Sequence, residues 1–166
     1  MDVFVRYKAI KQRLNSDGTL SEAFSLAPNN TPVGVPVFWY TGQYQKGKDN
    51  VSYIAPAIYI EMPKNLKIDY FPRKLQVVKD AQIKIHIVST APYKSIDNAM
   101  QDAAVEKHMK LNEDVHALLN AFQIKDAKGQ LLASQLIITG ENTMNYLGSF
   151  AFSVLTYKCE FYLKEG

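Results

Sequence analysis

The chain has 166 residues, 47% hydrophobic and 21% charged, with a formal net charge of +3 and a pI of about 8.8. That composition is ordinary for a folded domain large enough to hold a core, and so small a charge on scattered lysines does not point to nucleic acid. The one cysteine, Cys159, excludes an internal disulfide and fits a reducing compartment.

The first fourteen residues lack the continuous apolar centre of a signal peptide. No apolar run approaches the ~20 residues that span a bilayer. The expectation is a chain made in the cytoplasm that does not enter a membrane.

Residues 2–15 read as an amphipathic helix. Val3, Tyr7, Ile10 and Leu14 form one stripe, and Arg6, Lys8, Lys11, Gln12 and Arg13 cover the rest. Asn15 to Gly18 stops it. Residues 21–50 are irregular, punctuated by Pro28, Pro32, Pro36, Gly34, Gly42 and Gly47. A loop this long inside a domain is usually functional or hides an element, and residues 37–41 are a candidate short strand.

Residues 53–61 read as a strand that Pro56 delays to Ala57 or places at an edge. Residues 64–74 read as a connection. Over residues 75–90, Ile83, Ile85 and Ile87 alternate with Gln82, Lys84 and His86, the period of a strand with one buried and one wetter face.

Residues 97–122 carry the longest helical pattern. Ser95 or Asp97 can cap it, and Leu111, Val115, Leu118, Leu119 and Phe122 keep the three-and-four spacing. His108 falls where an apolar residue is expected, so a break there is a second option. Unbroken, about 26 residues span roughly 39 Å. One end is then expected to project toward a neighbour.

Residues 126–129 read as a turn, 131–139 as a strand, 140–145 as a polar turn and 149–163 as the last strand. Its apolar residues switch from even (Phe150, Phe152, Val154) to odd (Leu155, Tyr157, Cys159, Phe161). That switch predicts a β-bulge near 154–155. The whole reads as one α+β domain over residues 1–166, with 21–50 as a long loop insertion. A mostly antiparallel sheet of about four strands carries two helices on one face.

Residues for chemistry are few. Glu113 and His116 have an E-x-x-H spacing, but the motif occurs once and a metal site needs a larger ligand set. Cys159 lies on the expected core face, where a structural thiol is the simpler reading than a nucleophile. No nucleophile elbow, P-loop or dinucleotide glycine motif occurs. We therefore expect no catalytic residue, metal or cofactor, and a protein that is not an enzyme.

The loop offers more. Phe38, Trp39, Tyr40 and Tyr44 lie beside Lys46 and Lys48. These residue types can stack on single-stranded nucleic acid, meet a partner subunit, or fold back onto the domain's own core. The candidate interface is Phe38, Trp39, Tyr40, Tyr44, Lys46 and Lys48. Specific nucleic acid is the least favoured partner because the net charge is small.

Several segments together resemble the tail-terminator, or tail-completion, proteins of long-tailed bacteriophages and prophages. They are VFVRYKAIKQRL, PAIYIEMP, QIKIHIVST, NEDVHALLNAFQI and the closing NYLGSFAFSVLTYKCEF. The resemblance covers most of the chain as pattern, length and order. It implies a virion protein of the tail or neck, assembled in the bacterial cytoplasm. Such a protein oligomerises as a ring, with a hexamer expected. It caps the tail tube, ends its polymerisation and joins tail to head, so its partners are itself, the tail tube protein and a head-completion or connector protein. Two other readings stay open. One is another head–tail connector or minor tail protein. The other is a small ligand-binding or enzyme domain with a pocket under residues 35–48.

Overall fold

The isoleucine alternation at Ile83, Ile85 and Ile87 builds the central strand of the computed structural model, which describes residues 3–15, 35–42, 56–70, 76–90, 98–147 and 150–163. Helix α1 (Val3–Asn15) precedes strands β1 (Val37–Trp39), β2 (Ala57–Glu61), β3 (Ile68–Tyr70) and β4 (Gln76–Thr90). Helix α2 (Asn98–Leu119) follows, then β5 (Gln123–Lys125), β6 (Leu131–Gln135), β7 (Ile137–Leu147) and β8 (Phe150–Leu163).

The class is α+β, but the sheet is larger than expected and mixed. Eight described strands follow the order β1-β2-β4-β8-β6-β5, with β3 also on β4 and β7 also on β8. β1 and β2 run parallel, and the other pairs are antiparallel. β4 and β8 pair from Gln76↔Leu163 to Thr90↔Phe150 and form the spine. Each long strand offers an outer edge longer than one short strand can cover. β3 and β2 share the edge of β4, and β6 and β7 share that of β8. Short segments are captured this way because a bare edge leaves backbone donors and acceptors unpaired. This explains two elements that local pattern does not show. β3 lies in the expected connection, and β7 takes in the polar residues 140–145, with register shifts at Ile138/Gly140 and Asn142/Asn145.

The expected strand over 131–139 is broken at Leu136. Its N–H bonds to the Phe122 carbonyl and its carbonyl accepts from Ala121, each at 3.0 Å, so this residue serves the end of α2 instead of β8. The turn at 126–129 forms as expected. The Asp126 side chain accepts from the N–H groups of Lys128 and Gln130, and Gly129 takes φ +79°.

The predicted bulge at 154–155 is absent. β8 keeps register with β4 from Phe150 to Cys159, and the extra residues lie instead on its partners: on β4 between Val78 and Ala81, where Asp80 has φ 58°, and on β7 opposite 152–157. The parity switch has another cause: both faces of the sheet bury apolar side chains here. Val154 and Leu155 are both buried on opposite faces.

Both helices cover the same face. Tyr7, Ile10 and Leu14 of α1, with Leu111, Val115, Leu118 and Leu119 of α2, close over Ile58, Ile60, Ile83, Ile85, Ile87, Leu155, Tyr157 and Phe161. Each of those fully buried isoleucines contributes about 2 kcal/mol of apolar transfer. α2 is continuous through His108. Its expected caps, Ser95 and Asp97, lie outside the described residues. Among its described side chains the buried stripe begins at His108, while Asp102, Ala103, Glu106 and Lys107 are exposed.

Arg6 is not part of the solvated face expected for α1. It is buried, donates from Nε and Nη2 to the Leu132 carbonyl and from Nη2 to that of Tyr162, and lies 4.9 Å over the Phe161 ring. Arg13 donates to the Leu118 carbonyl at 2.9 Å and lies over Phe122. It thereby serves one of the orphan carbonyls, and the negative dipole end, of α2.

Candidate functional site

Strand alternation divides the aromatic residues of the loop between two faces of the sheet. Trp39 points to the helix side and Phe38 and Tyr40 to the other, because successive residues of β1 alternate. Tyr44, Lys46 and Lys48 lie outside the described residues. Of the six candidate residues, Phe38 and Tyr40 are brought together, and Trp39 is not placed with them.

Trp39 completes an aromatic shelf with α1. Its ring meets Tyr7 edge-on at 5.0 Å, Phe4 stacks on Tyr7 at 5.6 Å, and Phe4 and Trp39 lie 6.2 Å apart. Lys8 Nζ sits 4.8 Å from the Phe4 ring and Lys11 Nζ 5.9 Å from the Tyr7 ring. Phe4 and Lys8 fall at the spacing that places side chains on one helix face. The participation of α1 is what reading the loop alone misses.

On the other face, Phe38, Tyr40 and Phe152 pack against a small cluster of Ala57, Tyr59 and Val88. Beside it lies a hollow of about 360 Å³ lined by Tyr40, Glu61, Lys84, His86, Phe152, Val154 and Thr156. β2 and β4 place Tyr59 opposite His86 and Glu61 opposite Lys84. His86 stacks on Tyr40 at 3.9 Å and lies 2.6 Å from Glu61 through Nε2. Burial lowers the His86 pKa below its ordinary value, while the hydrogen bond and charge of Glu61 pull it up and Lys84 adds to the fall. Facing a carboxylate, which can only accept, the ring donates its Nε2–H to Glu61. Burial, with Glu61 adding to it, raises the Tyr40 phenol, so that hydroxyl stays protonated.

A third polar group is sealed inside. His108, fully buried, is held at Nδ1 by the Ser89 hydroxyl at 2.5 Å and at Nε2 by that of Ser153. Asn112 also donates to Ser153 at 2.9 Å, and its Oδ1 has no partner among the described residues. Burial drops the His108 pKa to about 4. A serine on a histidine invites a nucleophile reading. Here all three side chains are buried, and the hydroxyls satisfy the ring.

Of the remaining candidates, His116 and Cys159 are absorbed by packing. His116 Nδ1 pairs with the Tyr157 hydroxyl at 3.0 Å, and Glu113 is exposed. The Cys159 thiol is buried and pushed up to about 12, chiefly by that burial. Among the described residues no three His, Cys, Asp or Glu gather to hold a metal ion, and no helix is long and apolar enough to cross a membrane.

The sequence matches no family profile and no curated protein. The fold does find a counterpart among solved structures: a chain from the virion of a native gene transfer agent particle. The match has a TM-score of 0.54 at 13% identity and covers 94% of this chain and 93% of that one. At that identity the likeness is one of fold, and it runs end to end.

Proposed function

We propose that this chain is a structural protein of a phage-like virion. The observation that carries the reading is the fold match to a gene transfer agent virion chain over nearly the full length of both. Within that class we assign it to the tail terminators, on the resemblance of its segments to that family. It acts as a ring of six copies that caps the tail tube, ends tube polymerisation and presents a surface to the head connector. It works by binding, without catalysis or cofactor. Its partners are further copies of itself, the tail tube protein and a head-completion protein. The exposed Phe4 and Trp39 on the aromatic shelf are of the kind found at such interfaces.

The test is the mass of the purified protein in solution over a concentration series, with negative-stain images of the same sample, alone and with tail tubes. Six-fold rings, or decoration of tube ends, are the expected result. A protein that stays monomeric and leaves tube ends bare overturns the reading. Binding to the portal or connector instead moves the chain to another head–tail joining role.

The hollow beside His86 favours a second reading, a small ligand-binding or enzyme domain. Its lining includes Tyr40 from the long loop. That reading requires a monomer or dimer with a ligand that perturbs the His86 and Tyr40 ring resonances.

A further inference from the structure

Two exposed helix faces remain outside the core, and they are opposite in character. On α1, Phe4, Lys8 and Lys11 follow i, i+4, i+7 spacing, so they share one stripe. Trp39 stands beside it. Phe4 is 51% exposed and Trp39 38%, and the two lysine ammonium groups rest over the aromatic rings. The surface has an apolar centre under a basic rim.

On α2, Asp102, Glu106, Met109 and Glu113 follow i, i+4, i+7, i+11. All four are exposed, and Met109 is 36% exposed at the centre. Lys110, on the flank, is engaged by Asp114 at 3.2 Å. This stripe is apolar at the middle with acids on both sides. Acids at i, i+4 repel one another and weaken an isolated helix, so their alignment serves the helix poorly by itself.

We propose that these are the two halves of one contact between copies of this chain. The Phe4, Lys8, Lys11 and Trp39 surface of one copy seats on the Asp102, Glu106, Met109 and Glu113 stripe of the next. Charge complementarity selects the occupant: the basic rim meets acids, and the aromatic centre meets the methionine thioether, a favourable pairing. On the ring reading the two patches pair head-to-tail, one patch of each copy on the other patch of the next. Such a contact repeats around a ring when its rotation closes. The inference rests on the ring reading above and supplies the surface that builds it.

The test uses two charge-reversal variants of the full chain, K8E/K11E and E106K/E113K. All four positions lie on the protein surface or its margin, so circular dichroism is expected to match the wild type. In each variant alone, like charges face each other, and the midpoint concentration for dissociation rises about tenfold or more. An equimolar mixture restores assembly, because in alternating order every basic face again meets an acidic one. If the wild type assembles and each variant dissociates at the same midpoint, these surfaces are not the contact and the ring reading stands. If the variants fail and their mixture fails too, the pairing of these two faces is wrong. If the wild type is monomeric both alone and on tail tubes, the ring reading falls and takes this inference with it.

Discussion

The two faces of the sheet use a histidine in opposite ways. Under the helices, His108 is closed off between Ser89 and Ser153 and serves the core. On the far face, His86 sits between Tyr40 and Glu61 at the wall of a hollow. Burial lowers the pKa of both, but only His86 has a carboxylate working against that fall. Cover from two helices turns a polar group into a structural plug. His86 is buried as well, at 4% exposed, but Tyr40 and the Glu61 carboxylate beside it line a hollow where something can bind.

The largest expected effect breaks the sealed cluster. His108→Ala leaves a cavity, strands the Ser89 hydroxyl and leaves Ser153 with Asn112 alone, and it lowers unfolding free energy by about 3 kcal/mol or more. His86→Ala removes a buried ring beside the hollow and its bond to the partly exposed Glu61 carboxylate, and it costs less, about 2 kcal/mol. Urea denaturation of both variants checks the ranking, and equal losses would erase the distinction between the faces.

Acid gives nearly as large an effect. The folded pKa of His108, about 4, lies below the ordinary 6.5. The unfolded chain therefore takes up a proton that the folded one refuses as pH falls from about 6.5 toward 4. Stability is fully present above that window and drops through it, by up to about 3 kcal/mol. Below pH 4 this group adds no further slope. His108→Gln removes the titration, so the melting temperature of that variant is expected to fall less between pH 7 and 4.

A smaller effect sharpens the other side. Glu61→Gln removes the charge that holds the His86 pKa up and leaves only a neutral acceptor, so the ring titrates at lower pH than in the wild type. Nuclear magnetic resonance of the imidazole protons reads this directly, and an unchanged midpoint would show that Glu61 does not govern the hollow. The smallest effect lies at the turn after α2. Ala121 holds φ 58° there, a left-handed conformation that strains a side chain. Ala121→Gly is expected to stabilise the helix-covered side by up to about 1 kcal/mol, because relief of strain exceeds the added freedom of the unfolded chain. Thermal melts resolve a shift of that size.

Much of the helix-covered face is legible in the amino-acid sequence alone. The stripe Tyr7, Ile10 and Leu14, the stripe Leu111, Val115 and Leu118, and the triplet Ile83, Ile85 and Ile87 each repeat with the period of their element. A single buried face imposes that repeat. The candidate site is legible only in part. Aromatic richness points to the loop. The separation of Trp39 from Phe38 and Tyr40 needs the strand, and the partnership of Trp39 with Phe4 needs α1 beside it. His108 looks like an interruption of α2 because its partners, Ser89 and Ser153, lie on two strands remote in the chain.

Local periodicity thus sets the two helices, the central strand β4 and the turn at 126–129, since each depends on neighbours a few residues away. Long-range pairing decides the rest. β1 lies parallel to β2 and β3 is captured from a connection. The polar run at 140–145 extends as β7, and the extra residues fall on β4 and β7 rather than β8. These features answer to the hydrogen-bonding edges of β2, β4 and β8, and an edge has no signature in the residues that come to fill it. The burial of Arg6 follows the same logic, because the carbonyls that receive it, from Leu132 and Tyr162, belong to the far end of the chain.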